Sequence, residues 1–211
     1  MTGMICMNKT KTKTKIKGLL MIFLISSCSG FDFIQAAPVL KNYLVGYKDI
    51  VISDDFISQQ EYSFVKIKIG KSQPVILSLA YIRDGVYEWV SADGARIFTS
   101  NGRIIKTQGL VSNSQLMNKK NFPSINLLPV KQSRLIELTN PHTITEQISN
   151  TYIEYERDSF ISLKEEVKTI AFRWNYINTY LINFDDGLVI QSVQKIHPNL
   201  DEFHLEFYYK F

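Results

Sequence analysis

Residues 81–110 read YIRDGVYEWVSADGARIFTSNGRIIKTQGL. In this stretch Asp84-Gly85, Asp93-Gly94 and Asn101-Gly102 each separate two short runs in which apolar and polar residues alternate. Such dipeptides suit type I′ turns, whose two central residues both need positive φ, and alternation with a period of two marks a strand with one buried face. Three signals in succession predict a meander with strands at 74–82, 86–91, 95–99 and 103–107. Pro74 to Ile82 is apolar on both faces, as in a central strand.

The period continues outward from this segment. Upstream, Val65, Ile67 and Ile69 alternate with Lys66 and Lys68. Downstream, strands are expected at 134–138, 151–156, 165–174, 176–184, 188–196 and 202–210, with turns at Asp186-Gly187 and Pro198-Asn199. Phe203, Leu205, Phe207, Tyr209 and Phe211 share one face of the last strand. Residues 109–130 are polar and carry Pro123 and Pro129, which reads as a long connection with a helical turn at Ser114 to Met117. Two short helices are expected before the first strand. Pro38 to Tyr47 has helical apolar spacing behind a starting proline, and Ser53-Asp54-Asp55 offers N-caps for a turn reaching about Gln60. The fold class is mostly β. Roughly ten antiparallel strands in one domain favour a curled sheet, barrel or sandwich, because an open sheet would leave long edges.

The N-terminus has a different character. Lys9, Lys11, Lys13, Lys15 and Lys17 precede the apolar run Leu19 to Ile25, which is far short of the ~20 residues a membrane helix needs. A basic segment before a short apolar one is the pattern of a secretory signal. Ile25-Ser26-Ser27-Cys28 resembles a bacterial lipobox and implies cleavage before Cys28 with lipid on its thiol. The competing reading is an ordinary signal ending near Gln35-Ala36-Ala37. The expected organisation is a lipoprotein signal peptide at 1–27, a lipid-anchored tether at 28–37 and one antiparallel β domain at 38–211. Ser29 follows the cysteine where a retained inner-membrane lipoprotein would carry Asp, so an outer-membrane anchor facing the periplasm is expected. The formal charge of +4 invites a nucleic-acid reading, but five of the 24 basic residues lie in the signal. The remainder carries 19 basic against 20 acidic residues, so no nucleic-acid partner is expected.

Trp89, Ser91-Ala92-Asp93 with Gly94, Gly102-Arg103, and Thr107 with Gly109-Leu110 together resemble the signature of the YjbF family, the GfcB-type lipoproteins of group 4 capsule loci. A second match lies in Gly187, Ser192-x-Gln194 and Pro198 before a final aromatic strand. The family often has tryptophan where this chain has Tyr180, with Trp174 displaced upstream. The resemblance implies a non-enzymatic outer-membrane accessory to the assembly or export of an extracellular or capsular polysaccharide. It would act by binding polymer or an export-machinery protein. Read from residues alone, Gly94 and Gly102 are turn residues, Trp89 is either core or carbohydrate-facing, and Arg103 pairs with Asp93 across neighbouring strands.

Chemistry-bearing motifs are sparse. The chain contains no G-x-S-x-G, H-E-x-x-H, phosphate-binding or dinucleotide-binding loop. Cys6 and Cys28 are both accounted for by processing. His204 alternates with Glu202 and Glu206 on what reads as a solvated face, so no metal is expected, and no cofactor beyond the covalent lipid on Cys28. Asp54-Asp55, Glu165-Glu166 and Asp185-Asp186 leave a carboxylate-dependent glycan hydrolase as an alternative. Neighbouring strand residues face opposite ways, however, and these pairs read better as turn caps and surface charge. A protein-interaction module of the envelope is the other alternative. Among the aromatics, Tyr152, Tyr155, Tyr176, Tyr180, Tyr208 and Tyr209 are candidates for an exposed sugar-stacking surface.

Overall fold

The computed structural model describes residues 48–118 and 125–210, which belong to one unit, Val45–Phe211. The signal segment, Cys28, the tether and the helix expected at Pro38 to Tyr47 lie outside the described residues. The second expected helix is present as α1 (Asp54–Gln59). Ser53 caps it by accepting the Phe56 N–H at 3.2 Å, and Asp54 and Asp55 place carboxylates at the positive end of its dipole. Phe56 meets Phe64 edge-on with centroids 5.6 Å apart, which seats α1 against the start of the first strand.

Twelve strands follow: β1 (Phe64–Ile69), β2 (Val75–Arg83), β3 (Val86–Val90), β4 (Arg96–Ser100), β5 (Arg103–Gln108), β6 (Ser114–Leu116), β7 (Val130–Leu138), β8 (Thr143–Arg157), β9 (Phe160–Thr169), β10 (Asn175–Asn183), β11 (Val189–Gln194) and β12 (Phe203–Tyr208). Each pairs antiparallel with its sequence neighbours, and β1 pairs with β12, so the meander closes into a barrel without edges. The closing register runs from Phe64 opposite Tyr208 to Ile69 opposite Phe203, and it buries Phe203, Leu205 and Phe207 as their alternation predicts. Strand directions alternate. The turns after odd-numbered strands therefore gather at one end of the barrel, and the chain enters β1 at the other.

The lumen is filled. Val65, Ile67, Leu77, Trp89, Leu163, Phe203 and Leu205 form much of an apolar core. Opposite walls touch where Gly102 faces Val189. A Cβ on Gly102 would lie 2.4 Å from Val189 Cγ1, so no larger residue fits without movement. Gln194 of β11 bridges the same walls, donating to Gly102 O at 2.7 Å and accepting the Ile104 N–H at 2.9 Å. The barrel is accordingly pinched between β5 and β11.

Several sequence expectations need correction. Asp84 and Asn101 have φ of 52° and 46° before their glycines, as type I′ turns require, but at Asp93-Gly94 only the glycine is left-handed. There a longer loop is closed by the Ser91 N–H donating to Ala95 O and the Gly94 N–H donating to Ser91 O, each at 3.0 Å, so one αL residue suffices. The helical turn expected at Ser114 to Met117 is instead strand β6, which fills the wall between β5 and β7. The apolar outer face of β2 is exposed rather than covered, with a register shift between Leu79 and Tyr81 redirecting the strand's side chains. Strand β8 begins at Thr143, not Thr151. Its buried residues include Thr145, Gln147, Ser149 and Thr151, so its inner face is polar and hydrophobic alternation does not reveal it.

Candidate functional site

The hairpin motif builds barrel wall. Trp89 on β3 is fully buried, its indole N–H donating to Thr99 Oγ1 at 2.8 Å and its ring lying 5.7 Å from Phe207. Thr107 on β5 accepts the Ser114 N–H at 3.0 Å and so pins β6. Gly109, at φ 81°, lies close enough to Ala95 that a Cβ would stand 3.2 Å from its Cα. Asp93 is exposed in the β3–β4 loop, where the Ser91 hydroxyl donates to it and holds its carboxyl below the usual range. The expected pairing of Asp93 with Arg103 does not form, because Arg103 points into the barrel.

Inside the barrel Arg103 meets Glu165. The Glu165 carboxylate is fully buried; Oε1 accepts from Arg103 at 2.6 Å and Arg134 at 2.7 Å, and Oε2 accepts from Asn178 and Tyr180 at 2.9 Å each. Arg134 also donates to Gln147 at 3.2 Å, so β5, β7, β8, β9 and β10 are joined through one anion. Burial alone would push the Glu165 pKa up, but the two guanidiniums and their hydrogen bonds overcome it and hold the value at about 2. Burial first, and the Glu165 charge second, pushes the Tyr180 phenol well above its ordinary value. Beside the cluster lies a cavity of about 20 Å³, room for one water, lined in part by Arg134, Gln147, Tyr176 and Gln194. The reading of Glu165-Glu166 as surface charge is thus wrong for Glu165. Its lone pairs are committed to structure, which leaves it no proton to exchange with a substrate near neutral pH.

The end of the barrel carrying the odd-strand turns holds a wider cleft. Strand β11 pairs with β10 only from Thr179 onward, so Asn175 to Asn178 extend past it and the following chain, from Lys195, turns away. The resulting gap of about 670 Å³ is bordered by Trp174, Tyr176, Ile177, Lys168, Lys195 and Glu202, among others. Trp174 and Tyr176 lie 4.4 Å apart with planes tilted by 32°, and Phe172 continues the row 6.5 Å from Trp174. Tyr176 also lines the small cavity beside Arg134 and Gln147, so its ring borders the buried cluster. On the same end His197 is buried, its Nε2 bonded to Thr139 O at 2.8 Å while Nδ1 accepts the Asn199 N–H at 3.1 Å. Those partners select the neutral ring, and burial lowers its pKa despite the Thr139 bond.

Of the six tyrosines expected at a surface, Tyr180 is core and Tyr209 packs against it. Tyr208 stacks on Phe64 at 4.7 Å, and Tyr155 is half exposed. Tyr152 donates to Glu166 at 2.9 Å. Only Tyr176 joins a cleft with a second aromatic wall, and sequence spacing did pass over Trp174. Its signal was the alternation Phe172, Trp174, Tyr176 before an Asn-rich strand. His204 is exposed as expected, and Glu206 pairs with Lys66 at 2.7 Å. Among the described residues no group of three or more His, Cys, Asp or Glu is arranged to hold a metal ion.

A family model described as group 4 capsule polysaccharide lipoprotein gfcB, YjbF, matches residues 38–207. The uncharacterized lipoprotein GfcB of Escherichia coli (strain K12) is 32% identical over 170 residues, covering 71% of this chain and 77% of that protein. The uncharacterized lipoprotein YjbF of the same organism is 23% identical over 193 residues, covering 83% and 88%. In three dimensions the chain is similar to the crystal structure of the hypothetical lipoprotein YmcC from Escherichia coli (K12), with a TM-score of 0.68 at 22% identity. The likeness covers 76% of this chain and 90% of that one.

Proposed function

This chain belongs to the YjbF family, the group 4 capsule polysaccharide lipoproteins, and from that membership we propose that it is a lipid-anchored, non-catalytic accessory to capsular or extracellular polysaccharide assembly or export. It is held in the outer membrane by lipid on Cys28, with its barrel in the periplasm. It works by binding polymer or a protein of the export machinery. The carrying observation is the family match across residues 38–207, joined to the lipobox that precedes it.

The barrel's construction supports a binding role. Its lumen is packed and pinched at Gly102, so a polymer would meet its outer surface or its ends. An aqueous setting is supported by strand length: β3 and β4 have five residues and β6 three, against the ~9–11 a membrane-spanning strand needs. The walls also carry outward ion pairs, Glu88 with Arg96 at 2.9 Å and Glu154 with Lys164 at 3.6 Å. A non-catalytic role agrees with Glu165 being locked by four partners. The test is a clean deletion in the source bacterium, with surface polysaccharide measured by amount and chain length. A fall in either, restored by the intact gene, is expected; unchanged polymer would overturn the assignment.

A further inference from the structure

We propose that the cleft between Trp174, Tyr176 and the chain at Lys195 is a saccharide subsite, in which a pyranose ring stacks on the Trp174–Tyr176 corner. This assignment rests on the polysaccharide role above and gives it a location. Its volume, about 670 Å³, lies within the ~300–1,000 Å³ of small-ligand sites.

Three features point to a sugar. The first is the behaviour of the two tryptophans. Trp89, whose place is structural, satisfies its indole N–H on Thr99 at 2.8 Å, whereas the Trp174 Nε1 is buried with no hydrogen-bond partner. Leaving a buried donor unmet is unfavourable. Trp174 is therefore oriented for the face of its ring at the expense of its polar atom, as a stacking surface requires.

The second feature is the rim, where Glu166 and Glu202 stand with Lys168 and Lys195. Two acids and two bases give acceptors and donors with no excess of either sign. That suits a hydroxyl-rich ring, which both donates and accepts, better than a phosphate or a nucleic acid strand, for which basic residues would dominate. An amphipathic peptide would want apolar walls where this cleft has charges.

The third feature is rigidity. Tyr176 lines the small cavity with Arg134 and Gln147, and Arg134 donates to the buried Glu165 at 2.7 Å. The aromatic corner is thus fixed before ligand arrives, so little ordering entropy is lost on binding. The cleft also sits at the barrel end opposite the chain's entry into β1.

The test uses the full lipoprotein purified in detergent, with the surface polysaccharide isolated from the parent bacterium and partial-hydrolysis oligosaccharides from it as probes. Binding is read by affinity electrophoresis and by tryptophan emission, with thermal melting as the folding control. The intact protein is expected to bind and to shift its emission. Trp174→Ala should weaken binding at least tenfold with melting preserved, and Trp174→Phe, which keeps an aromatic face, should retain most of it. Equal binding by the intact protein and Trp174→Ala would overturn the subsite while leaving a polymer-binding role in place. No binding by the intact protein, with the deletion still reducing polysaccharide, would overturn the subsite and leave the export-partner role. Should Trp174→Ala unfold, equal losses in Trp174→Phe with unchanged melting would also overturn it, since stacking survives that change.

Discussion

At the scale of single residues, Glu165 decides most. Its sequence neighbourhood, Lys164-Glu165-Glu166, looks like exposed strand charge, and only the strand's phase turns the middle residue inward. Burial of one carboxylate between two guanidiniums stabilises only while the set is complete. Glu165→Gln keeps the volume and removes the charge, leaving Arg103 and Arg134 buried against a neutral amide. We expect a loss of about 3–5 kcal/mol in urea unfolding, the range for breaking a buried pair by removing one partner. The pH dependence has a definite sign. The folded pKa of about 2 lies below the ordinary 4.5, so this contribution is complete above pH 4.5 and is lost as pH falls toward 2. The turn glycines were legible, as their dipeptides announce them. Gly102's second role, admitting Val189 of the opposite wall, was not, because a contact across the lumen leaves no local mark.

At the scale of elements, legibility followed the polarity of the inner face. Strand β12 shows Phe203, Leu205 and Phe207 in alternation and lies wholly within its expected range. Strand β8 hides its first half because its inward residues Thr145, Gln147, Ser149 and Thr151 are polar while Ile144 and Ile148 lie on the outward face, the reverse of the usual alternation. The short β6 was unreadable for another reason: its three residues are set by the gap between β5 and β7 and by Thr107, not by a pattern of their own. The connection after β11 is stapled to the β7–β8 turn by His197 on Thr139 and by Asn199 donating to Asn140 O at 2.9 Å. His197 is held neutral, with a folded pKa below the ordinary 6.5, so its contribution is full above that value and declines as pH falls through the lowered one. Protonating Nδ1 would displace the Asn199 N–H. Protection of the amides of residues 196, 197, 199 and 200, relative to their intrinsic exchange rates, should therefore fall as pH drops below 6.5, and His197→Gln should remove that pH dependence. Protection that is flat with pH in the unchanged protein would contradict the assignment.

At the scale of the whole molecule, the sequence led to a closed or nearly closed antiparallel meander, because hairpin signals and alternation are local. It left barrel and sandwich undecided, since closure depends on β1 meeting β12, which lie at opposite ends of the chain. The flattening that brings β5 to β11 gives this barrel some of the character of both. The candidate cleft was half legible: Tyr176 stood among six equivalent tyrosines, and only the ending of β11 short of Asn175 set it apart. Charge follows the same logic of place. The basic balance of the full sequence resides in the lysines before Leu19, and the remainder is nearly neutral. The role proposed for the sealed barrel is polysaccharide assembly or export from a lipid anchor on Cys28. It is tested most directly by measuring surface polysaccharide in a strain whose only copy carries Cys28→Ala, at matched protein level and with membrane fractionation alongside. The expected result is protein released from the membrane fraction and polymer reduced toward the deletion level. Protein still in the membrane fraction, or full polymer from a released protein, would contradict it.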